Sequence, residues 1–328
     1  MVRYAGERFL ESRKAPSPDS IKASTLEKYN TLIKLRLFEY CEKNDIKTIR
    51  AFEDRDVCVQ FAESWRQVRR NAGEFLGTGT RNIEMQRFST FLNFCVDNEW
   101  IRKNGTDRIK GKGRRKSDEQ ERERYGLELD EYQQILDAPP SNDLTDQENL
   151  ETLVAAELMR WCGPRISDAH NFNSAEIVPD ESGDGWNCDF IQKKTGLRCV
   201  TPLPDHVKAQ LDALPGRIEN GVKYFFTCSY TALRMRVHTL AERAQKKKPF
   251  AHPFSPHCLR HTFAIQHFNH GTPVEYVSRW LGHETVAVTI KHYRRWIKTT
   301  RQIAESAGRE ANARMLAHNA TLPELAEY

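Results

Sequence analysis

The sequence predicts a mainly α-helical chain of two domains, the second carrying a small antiparallel β-hairpin. Three observations carry this expectation. Apolar residues recur at helical spacing through most of the first hundred residues, and a basic stretch broken by Gly105, Gly111 and Gly113 follows them. Well beyond it, two short strand-like runs flank the turn Lys193-Lys194-Thr195-Gly196. A chain of 328 residues is long enough for two ordinary cores.

Taken in order, residues 1–20 carry Pro and Ser with little apolar periodicity and are expected to form a loose N-terminal arm. From Ser24 the pattern turns helical, with Leu26, Tyr29, Leu32, Ile33, Leu37 and Phe38 on one side behind a Ser-Thr cap. Further helices are expected from about Asp54 to Arg69 and after Gly77-Thr78, so residues 21–102 form a small helical domain. Residues 103–124 are the expected linker, and the second domain runs from 125 to 328. It opens with helices near Leu129–Leu136 and Leu150–Trp161, then the hairpin formed by Trp186–Ile191 and Leu197–Leu203. After Pro204 the chain is expected to be helical to its end, with breaks at Pro215-Gly216, Pro249–Pro256 and Gly271-Thr272-Pro273.

Composition excludes several classes. No apolar run approaches the roughly 20 residues needed to cross a bilayer, and no signal-peptide pattern is present. The expectation is therefore a cytoplasmic protein without a membrane partner. Eight scattered cysteines without a CxxC pair argue against a disulfide framework or zinc knuckle. The net charge of +5 says little, but its distribution says more. Between Arg102 and Lys116 stand eight basic residues against the single acid Asp107. Such a block is either a solvated linker or a strap that tracks phosphates by releasing counterions. On the second reading Arg108, Lys110, Lys112, Arg114, Arg115 and Lys116 are candidate DNA contacts, as is Lys193 on the hairpin turn.

The chemistry concentrates in the second half, where seven of eleven histidines lie between His252 and His292. His257 and Arg260 are three apart and project from one helix face, with His261 beside them. Leu281-Gly282-His283 follows, and His292-Tyr293 comes ten residues after His283. Upstream, Gly163-Pro164-Arg165-Ile166-Ser167-Asp168 places an arginine just after a break. His257 and His261 could pair as zinc ligands, but Cys258 stands where a zinc protease needs Glu, and a neighbouring Arg disfavours a dication. No metal or other cofactor is expected. The residue types instead suit phosphoryl transfer with fixed donors. Two arginines offer permanent charge and bidentate geometry to phosphate oxygens. Tyrosine, with a free pKa of about 10, needs basic or cationic surroundings to attack, and a lysine can protonate a leaving oxygen.

These segments in this order resemble the tyrosine recombinase, or phage integrase, family. Residues 163–168 look like its first arginine box, 257–262 like its H-x-L-R-H-T box, and 281–283 like its L-G-H box. Residues 289–293 resemble the tyrosine box of the subgroup ending T-x-K-H-Y, whose spacing selects Tyr293 over His292. Lys194 resembles the lysine of the family's β-hairpin, with Lys193 as the fallback. The helical first domain resembles the family's SAM-like core-binding domain.

The resemblance implies a site-specific DNA recombinase that works through a 3′-phosphotyrosine without metal or ATP. Tyr293 would attack the scissile phosphate, Arg165 and Arg260 would hold its oxygens, and Lys194 would protonate the leaving oxygen. His257 would assist proton transfer at Tyr293 and His283 would bond the phosphate. Asp168 would buttress Arg165 or His257, and His261 would be structural. The implied partners are double-stranded DNA with inverted-repeat sites and three further copies, a homotetramer on DNA formed from a chain that is monomeric in solution. The alternatives are an inactive DNA-binding protein of this fold, a type IB topoisomerase-like enzyme, and a relative acting on hairpin or folded single-stranded ends. The chain after Trp296 could pack on its own domain or on a neighbour.

Overall fold

The computed structural model describes residues 1–14, 20–65, 76–107, 109, 125–297, 308–309 and 311–316. The chain divides into two units, Met1–Arg122 and Glu123–Tyr328.

In the first unit, helix α1 (Val2–Ser12) occupies most of the expected loose arm. Val2, Ala5, Phe9 and Leu10 are buried, spaced so that one face meets the core. The motif escapes a reading by composition because Gly6 sits in mid-helix, where glycine is normally unfavourable. Here a Cβ on Gly6 would lie 2.6 Å from Ile33 Cγ2 and 2.8 Å from Phe38 Cε1, so its absence lets the helices approach. Helix α2 (Ala23–Asn30) continues through a π-helical stretch, Thr31–Leu37, into α3 (Phe38–Lys43). After a 3-10 turn, α4 (Arg55–Glu63) starts where Asp54 accepts from the Asp56 amide at 2.7 Å. The long helix α5 (Thr78–Asp97) supplies Phe88 and Phe91 to an aromatic core with Phe9, Phe52 and Phe61.

The second unit opens with α6 (Leu129–Leu136) and α7 (Asp146–Cys162), each begun by a capping box, Glu128 with Glu131 and Thr145 with Glu148. Nearly every turn of α7 is buried, and α8 (Ile166–His170) follows after a three-residue break. The sheet has three antiparallel strands in the order β1 (Ile177–Pro179), β2 (Trp186–Ile191), β3 (Arg198–Leu203), with Phe190 opposite Cys199. On β3, Cys199, Thr201 and Leu203 face inward and their neighbours face out.

After α9 (Asp205–Ala213), the expectation of helix to the chain end needs correction. A second hairpin, β4 (Arg217–Glu219) and β5 (Val222–Tyr224), interrupts it. Its loop is Asn220-Gly221, both at positive φ (49° and 79°), the pairing that a two-residue hairpin loop demands. Helices α10 (Tyr230–Ala244), α11 (His257–Asn269), α12 (Val274–Trp280) and α13 (Val286–Tyr293) complete the unit. Among the described residues no helix is long and apolar enough to cross a membrane. All eight cysteines are unpaired thiols, and burial pushes Cys41, Cys58 and Cys95 up to about 12.

Candidate active site

Four elements of the second unit place the predicted residues, and the breaks between elements do most of the placing. Helix α7 ends at Gly163, which takes a left-handed conformation (φ 71°). A Cβ there would lie 2.5 Å from Phe263 Cδ1, so the position excludes larger residues for two independent reasons. Pro164 and extended Arg165 then start α8. The Arg165 guanidinium donates through Nη1 to Gln192 Oε1 and lies 4.0 Å from Asp168 Oδ2, one turn along α8. Asp168 Oδ1 accepts from the Lys193 amide at 3.1 Å, which ties this helix to the hairpin turn.

Arg260, in the first turn of α11, is almost wholly buried. Its Nη1 donates to the Gly163 carbonyl at 2.6 Å and its Nη2 to the Leu281 carbonyl. Both acceptors sit at helix C-terminal ends, where the backbone carries partial negative charge. Burial first, and the neighbouring Arg165 second, push Arg260 down to about 9, so it stays cationic at neutral pH. Tyr293, Cys199 and Asp168 act in the opposite direction, which puts all three within electrostatic reach of the guanidinium.

The tyrosine ends α13 and is 2% exposed. Its hydroxyl lies 2.6 Å from His261 Nδ1, and its ring packs near Phe268 and Trp296. The half-buried His257 stands edge-on to His261, ring centroids 4.8 Å apart. The imidazole hydrogen-bonded to the tyrosine is His261, which the sequence reading made structural, and His257 stands beside that imidazole. His283 follows the positive-φ Gly282 and pairs through Nδ1 with Thr289 Oγ1 at 2.7 Å. Lys193 and Lys194 are both exposed on the turn that Gly196 closes at φ 74°. Of the candidate DNA contacts only Lys193 is among the described residues; Arg108, Lys110, Lys112, Arg114, Arg115 and Lys116 lie outside them. Among the described residues no group of three or more His, Cys, Asp or Glu side chains could hold a metal ion.

Two participants were missed by the sequence reading. Gln192, directly after β2, is fully buried and bonded to Arg165, and Thr289 orients His283. No sequence signal set Gln192 apart, since β2 before it already mixes polar Asn187 and Asp189 with apolar residues. Thr289 lies inside the tyrosine box, but its spacing alone assigns it no partner.

The sequence model of the phage integrase family matches residues 126–299. The tyrosine recombinase XerD of Bifidobacterium longum is 26% identical over 176 residues, 50% of this chain and 56% of that protein, so the match spans about half of that relative's length. Among solved structures, a lambda integrase dimer (residues 75–356) bound to a COC′ core site superposes with a TM-score of 0.63 at 16% identity, covering 88% of this chain and 94% of the other. A lambda integrase tetramer bound to a Holliday junction gives 0.61 at 17% identity, covering 87% and 77%. These two likenesses show a shared fold. Because the family's own sequence model spans more than half of the 328 residues and takes in Arg165, Arg260, His283 and Tyr293, the chain belongs to the phage integrase family, the tyrosine recombinases.

Proposed function

We propose that this chain is a site-specific recombinase that cleaves and rejoins DNA through a 3′-phosphotyrosine at Tyr293. One observation supports this above the others: the Tyr293 hydroxyl is held by an imidazole at 2.6 Å while the same tyrosine lies within electrostatic reach of the buried Arg260. A phenol with a base on its proton and a cation beside it is disposed to attack an anionic ester.

In the proposed cleavage step the tyrosine oxygen attacks phosphorus, its proton passing to His261 Nδ1. The bond from phosphorus to the 5′ oxygen breaks, and Lys194 supplies that oxygen's proton; Lys193 beside it is the substitute donor. Arg165 and Arg260 stabilise the charge gathering on the non-bridging oxygens. Arg260 gives two N–H groups to carbonyls and keeps the rest of its five for the phosphate. His283, its ring fixed by Thr289, would bond the phosphate, and His257 would assist His261. Asp168 would hold Arg165 in place. Rejoining is the reverse: a 5′ hydroxyl attacks the phosphotyrosine and the phenol recovers its proton. The ester's energy is kept in that bond, so neither ATP nor a metal is called for. The Arg102–Lys116 stretch would bind phosphates between a core-binding first unit and the catalytic second one.

The partner is duplex DNA in the cytoplasm, with inverted-repeat half-sites bound by four copies. The lambda integrase tetramer on a Holliday junction, sharing this fold, supports that number. A nicked suicide duplex carrying the cognate site tests the reading. The native chain is expected to form a covalent adduct in the presence of EDTA, and Tyr293→Phe to form none while melting at the same temperature. An adduct that survives Tyr293→Phe, or its absence from the native chain on the cognate site, would overturn the proposal. Adducts without strand exchange would favour the topoisomerase-like alternative.

A further inference from the structure

Gln192 is fully buried at the end of β2, and every polar atom of its amide is used. Oε1 accepts from Arg165 Nη1 and from Thr195 Oγ1 at 3.1 Å, while Nε2 donates to the Leu281 carbonyl at 2.8 Å. That carbonyl also accepts from Arg260. One side chain and one peptide oxygen therefore join the two guanidiniums, and the same amide reaches the turn that carries Lys194. The seat is tight: a Cβ on Gly282 would lie 2.4 Å from Gln192 Cδ.

The chemistry calls for such a link. Two guanidiniums facing one phosphate repel each other before it arrives, and Arg165 is among the influences that push Arg260 down. A carboxylate between them would hold them but would also neutralise the charge meant for the substrate. A neutral amide accepts from a cation and donates to a carbonyl at once, leaving the net charge untouched. We propose that Gln192 is a positioning residue that sets the separation of Arg165 and Arg260 for a phosphate group. It acts through the arginines and does not itself touch the substrate. The inference rests on the proposed reaction only in taking a phosphodiester as the ligand.

The test uses the full chain with Gln192→Met, which keeps the length and loses all three hydrogen bonds, and Gln192→Glu, which keeps the acceptor alone. Inorganic phosphate is expected to raise the melting temperature of the native protein, and much less that of either variant or of Arg260→Ala. Single-turnover cleavage of the suicide duplex is expected to fall about a hundredfold in Gln192→Met, the scale of a misplacement near 1 Å. In an Arg165→Ala background the same change is expected to cost less than threefold, a coupling that a merely structural role would not give. If Gln192→Met does not fold, Gln192→Asn, which shortens the reach without adding charge, carries both arms. No phosphate effect on the native protein, an effect that both variants keep, or equal losses in the two backgrounds would overturn the inference. A native chain that responds to phosphate yet forms no adduct would sink the proposed reaction and leave Gln192 standing.

Discussion

At the scale of single residues, the placement of His261 carries a direct consequence. Its Nδ1 lies 2.6 Å from the hydroxyl of Tyr293, the proposed nucleophile, so removing it should cost more than removing His257. His261→Asn is expected to slow adduct formation by 10²–10³-fold, within the usual range for a proton-transfer partner. His257→Asn should cost markedly less, and quench-flow rates on one suicide duplex compare them. Equal losses would return the proton to His257. A second residue, Glu176, has no assigned part in this chemistry but is sensitive to pH. Burial pushes its carboxyl up to about 7, opposed by the Asn173 amide and reinforced by Asp168 and Asp189. A carboxyl raised in the folded state costs stability as pH rises from about 4.5 to 7 and costs nothing below that window. Glu176→Gln keeps an acceptor for the Asn173 amide, now 3.1 Å away. It should stabilise the chain at pH 8 by on the order of 1 kcal/mol, discounting for solvent screening, with no gain at pH 4. Denaturant melts at the two pH values decide it.

At the scale of elements, the site depends on where helices stop. Gly282 takes φ 52° after α12, and its missing Cβ leaves room for Gln192 and for Cys199, whose Sγ would lie 2.6 Å away. Gly282→Ala combines backbone strain with a clash in a packed region, so a loss of about 2–4 kcal/mol is expected in urea melts. A loss below 1 kcal/mol would mean that this corner yields easily. The helices and the hairpin around Lys194 were legible because apolar spacing and a Gly-bearing turn are local signals. The hairpin at Asn220-Gly221 was equally local and went unread, because its strands are only three residues long. Helix α1 was hidden by Gly6, whose value lies in its contact with Ile33 and Phe38, far along the chain. The boxes around Arg165, Arg260, His283 and Tyr293 were visible for a different reason. Phosphoryl transfer fixes the residue types, and short spacings fix their order. What spacing cannot express is pairing across a fold, and so the contacts of Gln192 with Leu281 and of Tyr293 with His261 appear only in the folded chain.

At the scale of the whole molecule, the described residues form one hydrophobic cluster in the first unit and two in the second, and the units meet in sequence at residues 122 and 123. The basic stretch ends just before that point, and the net charge of +5 understates it. If the stretch tracks phosphates, neutralising Arg114, Arg115 and Lys116 together should flatten the salt dependence of duplex binding. Each lost contact removes about 0.9 from the slope of log K against log salt, so a change of about 2–3 is expected in fluorescence anisotropy titrations. An unchanged slope would make the stretch a solvated spacer.

The burial of Tyr293 has a bearing on how often such a molecule can make an error. A tyrosine that is 2% exposed, its ring walled by Phe268 and Trp296, offers a phosphodiester little direct approach. If Tyr293 is the nucleophile, the walls at Phe268 and Trp296 must open to the phosphate while the hydroxyl keeps its partner His261. The packing of the Tyr293, Phe268 and Trp296 rings would set how rarely that happens unaided. On the proposed reaction, encounters with wrong DNA that are shorter than the waiting time would end harmlessly, and the folded core itself would act as a timer that protects every sequence the chain merely passes over.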